Sequence, residues 1–376
     1  MNKDDTVSTA KTKKPLKLNI IMAIVLSAGI LLGIFGYALG GTRAVIFGER
    51  GFSIVKSEQI RVDERGLSFG KINVDVKAAR VELIRADRFA YEISSGSHQT
   101  YTHNISDGEL SIKETTKSGF RFFSFGIHVP DLEIKIYYNK PLDDVFVHTS
   151  AGKITVNGLE SNALDLDISA GNMEVNDCQI KGVTHAKSSA GAVTVENCKS
   201  REFKLENQAG KIVLDNCSAK VTDIKSSTGG VKLSDTSSES FKIKTTAGAV
   251  NAQDIRSKGL TADVTTGSVK ISGALTGRTA VDVSAGSTTI NVYGDSANTN
   301  VSLASSAGIC RINGEKRNFL EPSGANAGNS IRVTSTTGSV NVNFSNDFHD
   351  GFDDDFDDDF DDYFDDYFDD DTEFID

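Results

Sequence analysis

A tripeptide of the form Ser/Thr-Ala/Thr-Gly recurs along this chain and constrains its fold more than any other feature. It returns ten times between Ser150 and Gly338, with Gln208 in the first place once. Successive glycines are separated by 19, 20, 19, 19, 19, 19, 19, 22 and 30 residues. The ten glycines are Gly152, Gly171, Gly191, Gly210, Gly229, Gly248, Gly267, Gly286, Gly308 and Gly338. Self-similarity at a period of about 20 residues is typical of a repeat architecture.

Each repeat has the pattern of two short strands joined by turns. The residues two and four places after a glycine are apolar with few exceptions, as Ile154 and Val156 are after Gly152, and polar residues alternate with them. A second apolar column lies five residues before the glycine, at Val147 in the first repeat. Such alternation predicts strands with one buried face. One turn is predicted at the glycine, and the other begins at a polar column five residues later, at Asn157 in the first repeat.

The repeats predict an all-β fold, and within that class a β-solenoid with about 19 residues and two strands per coil. The repeats lack the helical pattern of ten or more residues that a βαβ crossover needs. Stacked coils would place equivalent residues about 4.8 Å apart and bury a continuous inner face, which one coil alone cannot do. A β-sandwich of ordinary hairpins is the alternative, and it explains the constant spacing poorly.

Three cysteines occupy one column of the repeat. Cys178, Cys198 and Cys217 each follow their glycine by seven residues, whereas Cys310 belongs to a different column. An inward column of small apolar side chains predicts buried free thiols. The spacing also permits a disulfide between neighbouring coils, although three cysteines cannot pair completely. Stacked thiols face the same way, so they do not converge as the four ligands of a structural zinc ion must.

The N-terminal region has the pattern of a membrane anchor. Residues 1–17 are polar and lysine-rich, and the next 22 residues, Leu18–Leu39, carry no charge, which is enough to cross a bilayer as a helix. The excess of lysines before this segment predicts a cytoplasmic N-terminus, with one pass through the cell membrane and the remaining chain outside the cell. A cleaved signal peptide is the alternative, but its apolar core is normally shorter. Residues 1–17 are therefore interpreted as a cytoplasmic segment and 18–39 as a transmembrane signal-anchor.

Two further regions depart from the regular repeat. Residues 44–143 alternate like strands without the glycine motif, which predicts a β-rich cap before a solenoid of residues 144–345. Four histidines in and beside the cap lack a partner at a suggestive spacing and are expected to be exposed or packed. They are His98, His103, His128 and His148. The long interval after Gly308 contains Phe319 and Leu320, and it is either a projecting binding loop or a tolerated insertion.

The C-terminal tail, residues 346–376, has a composition of its own. It contains 16 Asp, one Glu and no Lys or Arg, and without these acids the net charge of −12 would become +5. Aromatic residues recur in it about every four positions, but Asp is a poor helix former and like charges repel, so we expect disorder. The aromatic residues expected to contact a partner are Phe352, Phe356, Phe360, Tyr363, Phe364, Tyr367 and Phe368. The tail is either a solvated acidic segment or a site that captures cationic peptides or proteins and binds Ca²⁺ loosely.

The repeats and the single anchoring helix resemble a family of bacterial envelope proteins known as putative adhesins with β-strand repeats. The resemblance rests on HTSAGKITVNG, ISAGNMEVNDC, SSAGAVTVENC, TTAGAVNAQDI and STTGSVNVNF, with DGELSIKE and LEIKIYYNKPL before them. It covers roughly residues 70–345 and excludes the tail. It implies a β-helical surface domain of unknown function, often found at envelope-stress loci of Gram-positive bacteria. It implies no catalytic residue.

These observations favour a membrane-anchored surface solenoid that acts as a non-catalytic, adhesin-like binding scaffold. One alternative is an accessory to envelope-stress sensing that responds to cationic antimicrobial peptides. A second is a carbohydrate-active β-helix enzyme, which would need carboxylates paired across its substrate. The Asp and Glu residues of the repeats instead lie mostly at turns or at outward positions that are occupied by Lys and Thr in other repeats. We therefore predict no catalytic residue, metal ligand or cofactor, and no nucleic-acid partner.

Overall fold

The computed structural model describes residues 22, 25–31, 45–48, 51–54, 57–63, 66–96, 99–115, 123–125, 132–294, 296–317 and 328–345. The chain divides into two compact units. The first comprises Met1–Lys56 and Ser118–Pro130, and the second comprises Ser57–Lys117 and Asp131–Asp376.

The strands are numbered along the chain. The first nine are β1 (Val45–Gly48), β2 (Gly51–Ile54), β3 (Ser57–Val62), β4 (Lys71–Arg85), β5 (Ala90–Gly96), β6 (Tyr101–Ser106), β7 (Glu109–Glu114), β8 (Phe123–Phe125) and β9 (Leu132–Tyr138). The next nine are β10 (Leu142–Asn157), β11 (Glu160–Asn176), β12 (Gln179–Ala190), β13 (Val193–Glu196), β14 (Lys199–Ala209), β15 (Ile212–Asp215), β16 (Ser218–Thr228), β17 (Val231–Ser234) and β18 (Ser237–Ala247). The last are β19 (Val250–Thr266), β20 (Val269–Ala285), β21 (Thr288–Tyr293), β22 (Thr299–Ala307), β23 (Cys310–Ile312), β24 (Glu315–Arg317), β25 (Asn329–Thr337) and β26 (Val340–Ser345). A 3₁₀ helix, Ser296–Asn298, precedes β22.

The first unit contains a small sheet and a short helical segment. Strands β2, β1 and β8 form an antiparallel sheet in that order. Residues 22 and 25–31 are helical, and Met22, Leu26 and Leu31 are 64%, 68% and 66% exposed. Within the described residues, no helix is both long and apolar enough to cross a membrane. Most of the predicted span, residues 18–39, lies outside that part of the chain.

A coil of the second unit has three sides and three corners, as the coil around Gly210 shows. The first side is the later part of β14, which leads to Gly210. The second side is β15, after which Asn216 turns the chain with a φ of 49°. The third side is the start of β16, and it ends at Lys220 and Val221, two successive residues that are both partly exposed. The glycine and polar columns predict only the first two turns, because the third bend has neither Gly nor Pro in this coil and has glycine in only some others, as at Gly182 and Gly259.

Successive coils stack in parallel and in register. Ile212 of β15 pairs with Val193 of β13 on one side and with Val231 of β17 on the other. At the glycine corner, the backbone N–H of Gly210 donates to the carbonyl oxygen of Thr228 in the next coil, at 2.9 Å. Each coil is therefore one layer of a ladder of parallel strands. The second unit is the all-β solenoid that the repeats predicted.

The inner face of the stack is a continuous apolar core. In one coil, Phe203, Leu205, Ile212 and Leu214 are all 0% exposed. Burying a side chain of this size stabilises a fold by about 1.5–3 kcal/mol. Equivalent positions are buried in coil after coil, so the two apolar columns of the sequence supply the main driving force for stacking.

The N-terminal end of the stack is closed by non-repeating strands. Strand β4 pairs in parallel with β10, and Ala79 lies opposite Gly152, so β4 is already a layer of the solenoid. The glycine motif predicts that the solenoid begins at residue 144, because alanine replaces the marker glycine in this earlier layer. Beyond β4 lie β7 and β9, and β3, β5 and β6 then add antiparallel pairs. The antiparallel strands end the parallel stack and protect its open edge.

The C-terminal end of the stack does not follow the order of the chain. Strands β20 and β21 pair with β25 and β26, which in turn pair with β22 and β23. The last repeat in the sequence, around Gly338, therefore lies between the repeats around Gly286 and Gly308. The Gly338 N–H donates to the carbonyl oxygen of Ala307 at 3.0 Å, which fixes the order of these layers. We call β25 and β26 the intercalated coil.

The order of the last three layers explains the two irregular intervals between repeat glycines. The interval of 22 residues after Gly286 includes the 3₁₀ helix and carries the chain past one layer. The interval of 30 residues after Gly308 includes β24, which runs antiparallel to β23, and it returns the chain to the skipped layer. The sequence alone suggests a projecting loop or a tolerated insertion for this second interval, whereas the strand order requires it to be a return connection. Phe319 and Leu320 lie outside the described residues.

Candidate functional site

The repeat glycines form one column at the first corner of the coils. Nine of the ten have positive φ angles, from 129° at Gly152 to 152° at Gly248, and Gly308 is the exception. A Cβ atom on Gly229 would overlap the carbonyl oxygen of Gly210 in the preceding layer. Glycine is needed here for its φ angle and for the close approach of adjacent backbones. This column builds the scaffold and presents no side chain to a ligand.

The second corner carries a ladder of Asn and Asp side chains. The residue six places after the glycine has a positive φ angle in eight coils, where it is glycine, Asn or Asp. The Asn197 amide donates to the Asp177 carboxylate at 3.0 Å, and the Asn216 amide donates to the Asn197 carbonyl oxygen at 2.9 Å. Asn and Asp tolerate this conformation better than other residues with side chains. The signal was present in the sequence, one residue after the column where the analysis began the turn.

Carboxylates replace the amides further along this ladder. Asp235 and Asp254 occupy the left-handed corners of two neighbouring coils. Burial and the neighbouring carboxylates Asp254 and Asp215 raise the pKa of Asp235. The Tyr293 hydroxyl donates to Asp254 at 2.6 Å. Within the described residues, no three His, Cys, Asp or Glu side chains are grouped to hold a metal ion.

The cysteine column faces the interior. Cys178, Cys198 and Cys217 are buried free thiols, and Cys310 is free and partly exposed. The Cys178 N–H donates to the Cys198 sulfur at 3.4 Å, and the Cys198 thiol donates to the Glu196 carbonyl oxygen at 3.1 Å. Contacts with the thiols of Cys178 and Cys217, together with burial, raise the pKa of Cys198. A raised pKa keeps the thiol protonated and poorly nucleophilic, as expected for a structural cysteine.

Charged side chains on the first side of the coils pair along the stack. The Asp167 carboxylate lies 3.5 Å from the Lys187 ammonium, and the Lys225 ammonium donates to Glu206 at 3.1 Å. Partial burial alone would raise the pKa of Glu206, but the hydrogen bond from Lys225 and its charge lower that pKa overall. Exposed pairs of this kind contribute about 0.2–1 kcal/mol each. They fix the surface of the stack without converging on a single point.

The histidines are distributed among structural contacts. The Tyr91 hydroxyl lies 2.9 Å from Nδ1 of His103, and Nδ1 of His148 lies 3.9 Å from Asp167. His185, which the sequence analysis did not single out, lies 3.1 Å from Asp165. His98 and His128 lie outside the described residues.

The predicted partner-binding residues of the tail also lie outside the described residues. They are Phe352, Phe356, Phe360, Tyr363, Phe364, Tyr367 and Phe368. The described chain ends at Ser345, the last residue of the intercalated coil. The binding role of the tail therefore stays a prediction.

Solved bacterial proteins of low sequence identity resemble this chain. A putative adhesin from Bacteroides fragilis is 10% identical, with a TM-score of 0.31, and the match covers 77% of this chain and 97% of that protein. A putative lipid binding protein from Parabacteroides distasonis is 13% identical, with a TM-score of 0.37 and the same coverage. A putative adhesin from Parabacteroides merdae is 12% identical, with a TM-score of 0.37, and covers 77% of this chain and 95% of its own. No curated protein sequence matches the chain.

The repeat region also matches a known family. The family described as Toastrack DUF4097 matches residues 69–229 and again residues 185–343. Together these matches run from just before β4 to the intercalated coil, which includes every layer of the solenoid. They confirm the resemblance drawn from the repeat motifs. The chain belongs to the Toastrack DUF4097 family.

Proposed function

We propose that this protein is a non-catalytic binding scaffold of the cell surface, and that its acidic, aromatic tail captures cationic partners. The observation that carries the proposal is the separation of charge along the chain. The tail holds 17 acids and no base, whereas the rest of the chain has a net charge of +5. A local field of this strength attracts cations, and salt weakens the attraction.

The regular stack supports the scaffold role. Interior positions hold core residues, and many outward side chains are used in pairs between layers, such as Glu206 with Lys225 and Asn197 with Asn216. The φ angle of Gly229 and its contact with the neighbouring backbone leave little room for substitution at the glycine corner. A stack built this way provides rigid, extended sides that suit recognition of other molecules.

The aromatic residues of the tail would add a second type of contact. Phenylalanine and tyrosine rings stack on Arg side chains and pack against the apolar face of an amphipathic peptide. Partners that combine positive charge with an apolar face are therefore favoured over small cations. Ca²⁺ would bind the same carboxylates loosely, because the sequence of the tail contains no EF-hand loop that would arrange oxygen ligands around the ion.

The test is a titration of a synthetic peptide covering Asp347–Asp376 with a cationic amphipathic helical peptide. A control peptide has every Phe and Tyr changed to Ser, so that its charge is unchanged. We expect the natural tail to bind more tightly than the control, and we expect both affinities to fall with salt. Equal binding by the two peptides would leave only a polyanion, and failure of both to bind would refute capture by the tail.

A titration of the full-length chain with Ca²⁺ tests the simpler partner. Weak binding that is lost at physiological salt is expected for a tail that the sequence predicts to be disordered. Tight binding with a fixed stoichiometry would instead show a true calcium site and replace the proposal of a peptide-binding tail.

Anchoring in the membrane is the second part of the proposal. Residues 18–39 carry no charge, and the described helical residues among them expose apolar side chains such as Leu26. We expect the protein to resist carbonate extraction and its solenoid to be cut by protease added to intact cells. Recovery of a shortened chain in the medium, starting near Gly41, would show a cleaved signal peptide instead.

A further inference from the structure

The third side of the coils is the basic side of the solenoid. Between Gln179 and Arg278, this side and the bend that follows it hold seven basic and two acidic residues in six coils. The basic residues are Lys181, Lys199, Arg201, Lys220, Arg256, Lys258 and Arg278, and the acidic ones are Glu202 and Glu239. Over the same coils the first side carries five basic and five acidic residues, and the second side carries three basic and six acidic. Positive charge is therefore concentrated on one side, which we call the basic stripe.

The stacking register places these residues in two neighbouring rows that run along the stack, one on the third side and one at the bend. Lys199 pairs with Gln179 in the layer before it and with Ser218 in the layer after it, and Ser237 pairs with Arg256. Each step along the row is about 4.8 Å, so the stripe extends for roughly 24 Å over five steps. Arg201 and Lys258, at the bend, are exposed, whereas Lys199 is partly exposed. Within this row Lys199 and Arg256 are separated by Ser218 and Ser237. The bend beside it holds Arg201, Lys220, Glu239 and Lys258 in successive layers, and the Lys258 ammonium lies 3.7 Å from the Glu239 carboxylate. The stripe is therefore a surface of net positive charge that also contains acidic residues.

The tail leaves the fold on this same side. Ile255, the residue before Arg256, pairs with Gly273, and Gly273 pairs with Val292. Val292 pairs in turn with Phe344 of the intercalated coil. Phe344 thus continues the row of Ile255, and Ser345 begins the third side of its own layer. Ser345, the last described residue, therefore lies at the end of the row that contains Arg256.

The length of the tail is more than sufficient to reach along the stripe. From the intercalated coil to the layer of Lys181 there are seven steps, or roughly 34 Å. The 31 residues of the tail span about 100 Å when extended. Carboxylates begin at Asp347, directly beside the fold, and continue to Asp376. A tethered segment also has a high effective concentration near its own attachment point.

From the charge, the exit point and the length we infer that the tail of residues 346–376 docks along the basic stripe of its own solenoid. Docking brings carboxylates next to a row of ammonium and guanidinium groups, and the aromatic rings next to apolar surface at Val183, which is 38% exposed. The bound tail is covered, so a cationic partner has to displace it from the stripe. The contact goes beyond the proposed capture function and does not depend on it.

The test uses carbodiimide cross-linking of the full-length chain, which joins a Lys ammonium to a carboxylate that touches it. Only cross-links between tail acids and solenoid lysines are counted by mass spectrometry. The stripe lysines are Lys181, Lys199, Lys220 and Lys258, and the internal controls on the first side are Lys187, Lys204, Lys225, Lys242 and Lys244. We expect several-fold more tail cross-links per lysine on the stripe than on the first side, and their loss in 1 M salt. Mixing chains of light and heavy isotope composition distinguishes contacts within one chain from contacts between chains.

An even distribution over the two sets of lysines, or no tail cross-links at all, would overturn the inference. Cross-links that join light chains only to heavy chains would overturn it as well, because they place the tail on a second copy. A charge-reversal variant sharpens the result. Lys199→Glu with Arg201→Glu and Lys220→Glu should abolish the tail cross-links that remain at Lys181 and Lys258. The matched control, Lys204→Glu with Lys242→Glu and Lys244→Glu, should leave them unchanged. If the stripe variant does not fold, the distribution of tail cross-links between the two sets of lysines in the natural chain is the deciding measurement.

A last arm separates this contact from the proposed function. Adding a cationic helical peptide should reduce the tail cross-links to the stripe in proportion to the peptide bound. Failure of the peptide to bind would refute capture while the cross-links of the free chain still report docking. Peptide binding without any cross-link to the stripe would refute docking while capture stands.

Discussion

The backbone N–H of Gly286 donates to the carbonyl oxygen of Thr337 at 2.9 Å. In the repeat that follows Gly286 in the sequence, the residue equivalent to Thr337 is Ala307. The hydrogen bond to Ala307 comes instead from Gly338. These two bonds show that the last repeat occupies an internal layer, with a partner on both sides. Interior layers of a repeat protein gain two interfaces, whereas terminal layers gain one.

Hydrogen exchange should show this order directly. We expect the backbone amides of β25 and β26 to exchange more slowly than those of β22, although β25 and β26 are the last repeat of the sequence. The reason is that the intercalated coil is bonded on two sides, and opening it disrupts both neighbours. Exchange followed by mass spectrometry on the full-length chain measures both segments at once. Faster exchange in β25 than in β22 would mean that the final repeat is the terminal layer.

Changing Gly229 to alanine should destabilise the solenoid strongly. Gly229 has a φ of 137°, and an added Cβ would overlap the carbonyl oxygen of Gly210. We expect a loss of at least about 2 kcal/mol in the free energy of unfolding, measured by denaturant or thermal melting. Gly230→Ala is the matched control, because its Cβ would meet nothing closer than 3.7 Å and other coils have alanine there. A similar loss in both variants would show that the close approach at Gly229 is not the cause.

Changing Asp235 to asparagine should stabilise the protein. The new amide could donate to Asn216 in the layer before it and would no longer repel Asp254, which together are worth about 0.5–1.5 kcal/mol. The natural Asp235 has a pKa raised above its ordinary value of 3.8, first by burial and then by Asp254 and Asp215. Its carboxyl is therefore better tolerated when protonated, and stability falls as the pH rises from about 3.8 through the pKa of the folded state.

Thermal melts of Asp235→Asn at several pH values check both statements. The variant should melt at a higher temperature than the natural chain near neutral pH, and the difference should shrink below pH 4. Asp282→Asn, at an exposed position on the first side, is the control and should change little. A difference that grows as the pH falls would contradict the sign of the pKa shift.

The cysteine column should not accept a charge. Cys198→Asp would place a carboxylate between Cys178 and Cys217 in the interior, where Cys198 is 4% exposed. We expect a loss of about 3 kcal/mol or more, because a buried unpaired charge has no compensating partner. Cys198→Ala, which removes the thiol without adding charge, should cost about half as much or less. An unchanged melting temperature in Cys198→Asp would show that the column faces solvent.

The coil was predictable from the sequence because its determinants are local. Gly210 fixes one corner, and the apolar residues Ile212 and Leu214 fix the face that is buried. The third bend at Lys220 and Val221 is not evident because glycine occupies it in only some coils, as at Gly182 and Gly259. The layer formed by β4 was missed because Ala79 replaces the glycine and still permits the close approach of Gly152.

The order of the last three layers could not be predicted for a different reason. Every coil offers the same backbone pattern to its neighbours, so Val281 can pair as well with Leu303 as with Val333, its actual partner. Only the lengths of the two irregular connections distinguish these arrangements, and length alone does not specify a path. Placement of the basic stripe has the same origin, since its residues become neighbours only when the coils stack in this register.

The position of the intercalated coil also determines when the solenoid can finish folding during synthesis. Residues 329–345 are synthesised after both of the layers that enclose them. The two enclosing layers therefore leave the ribosome before the coil that lies between them. The far end of the solenoid is therefore completed only when the final repeat has emerged. A message cut short after residue 317 would encode a chain with nearly all its repeats and an open seam between its last two layers.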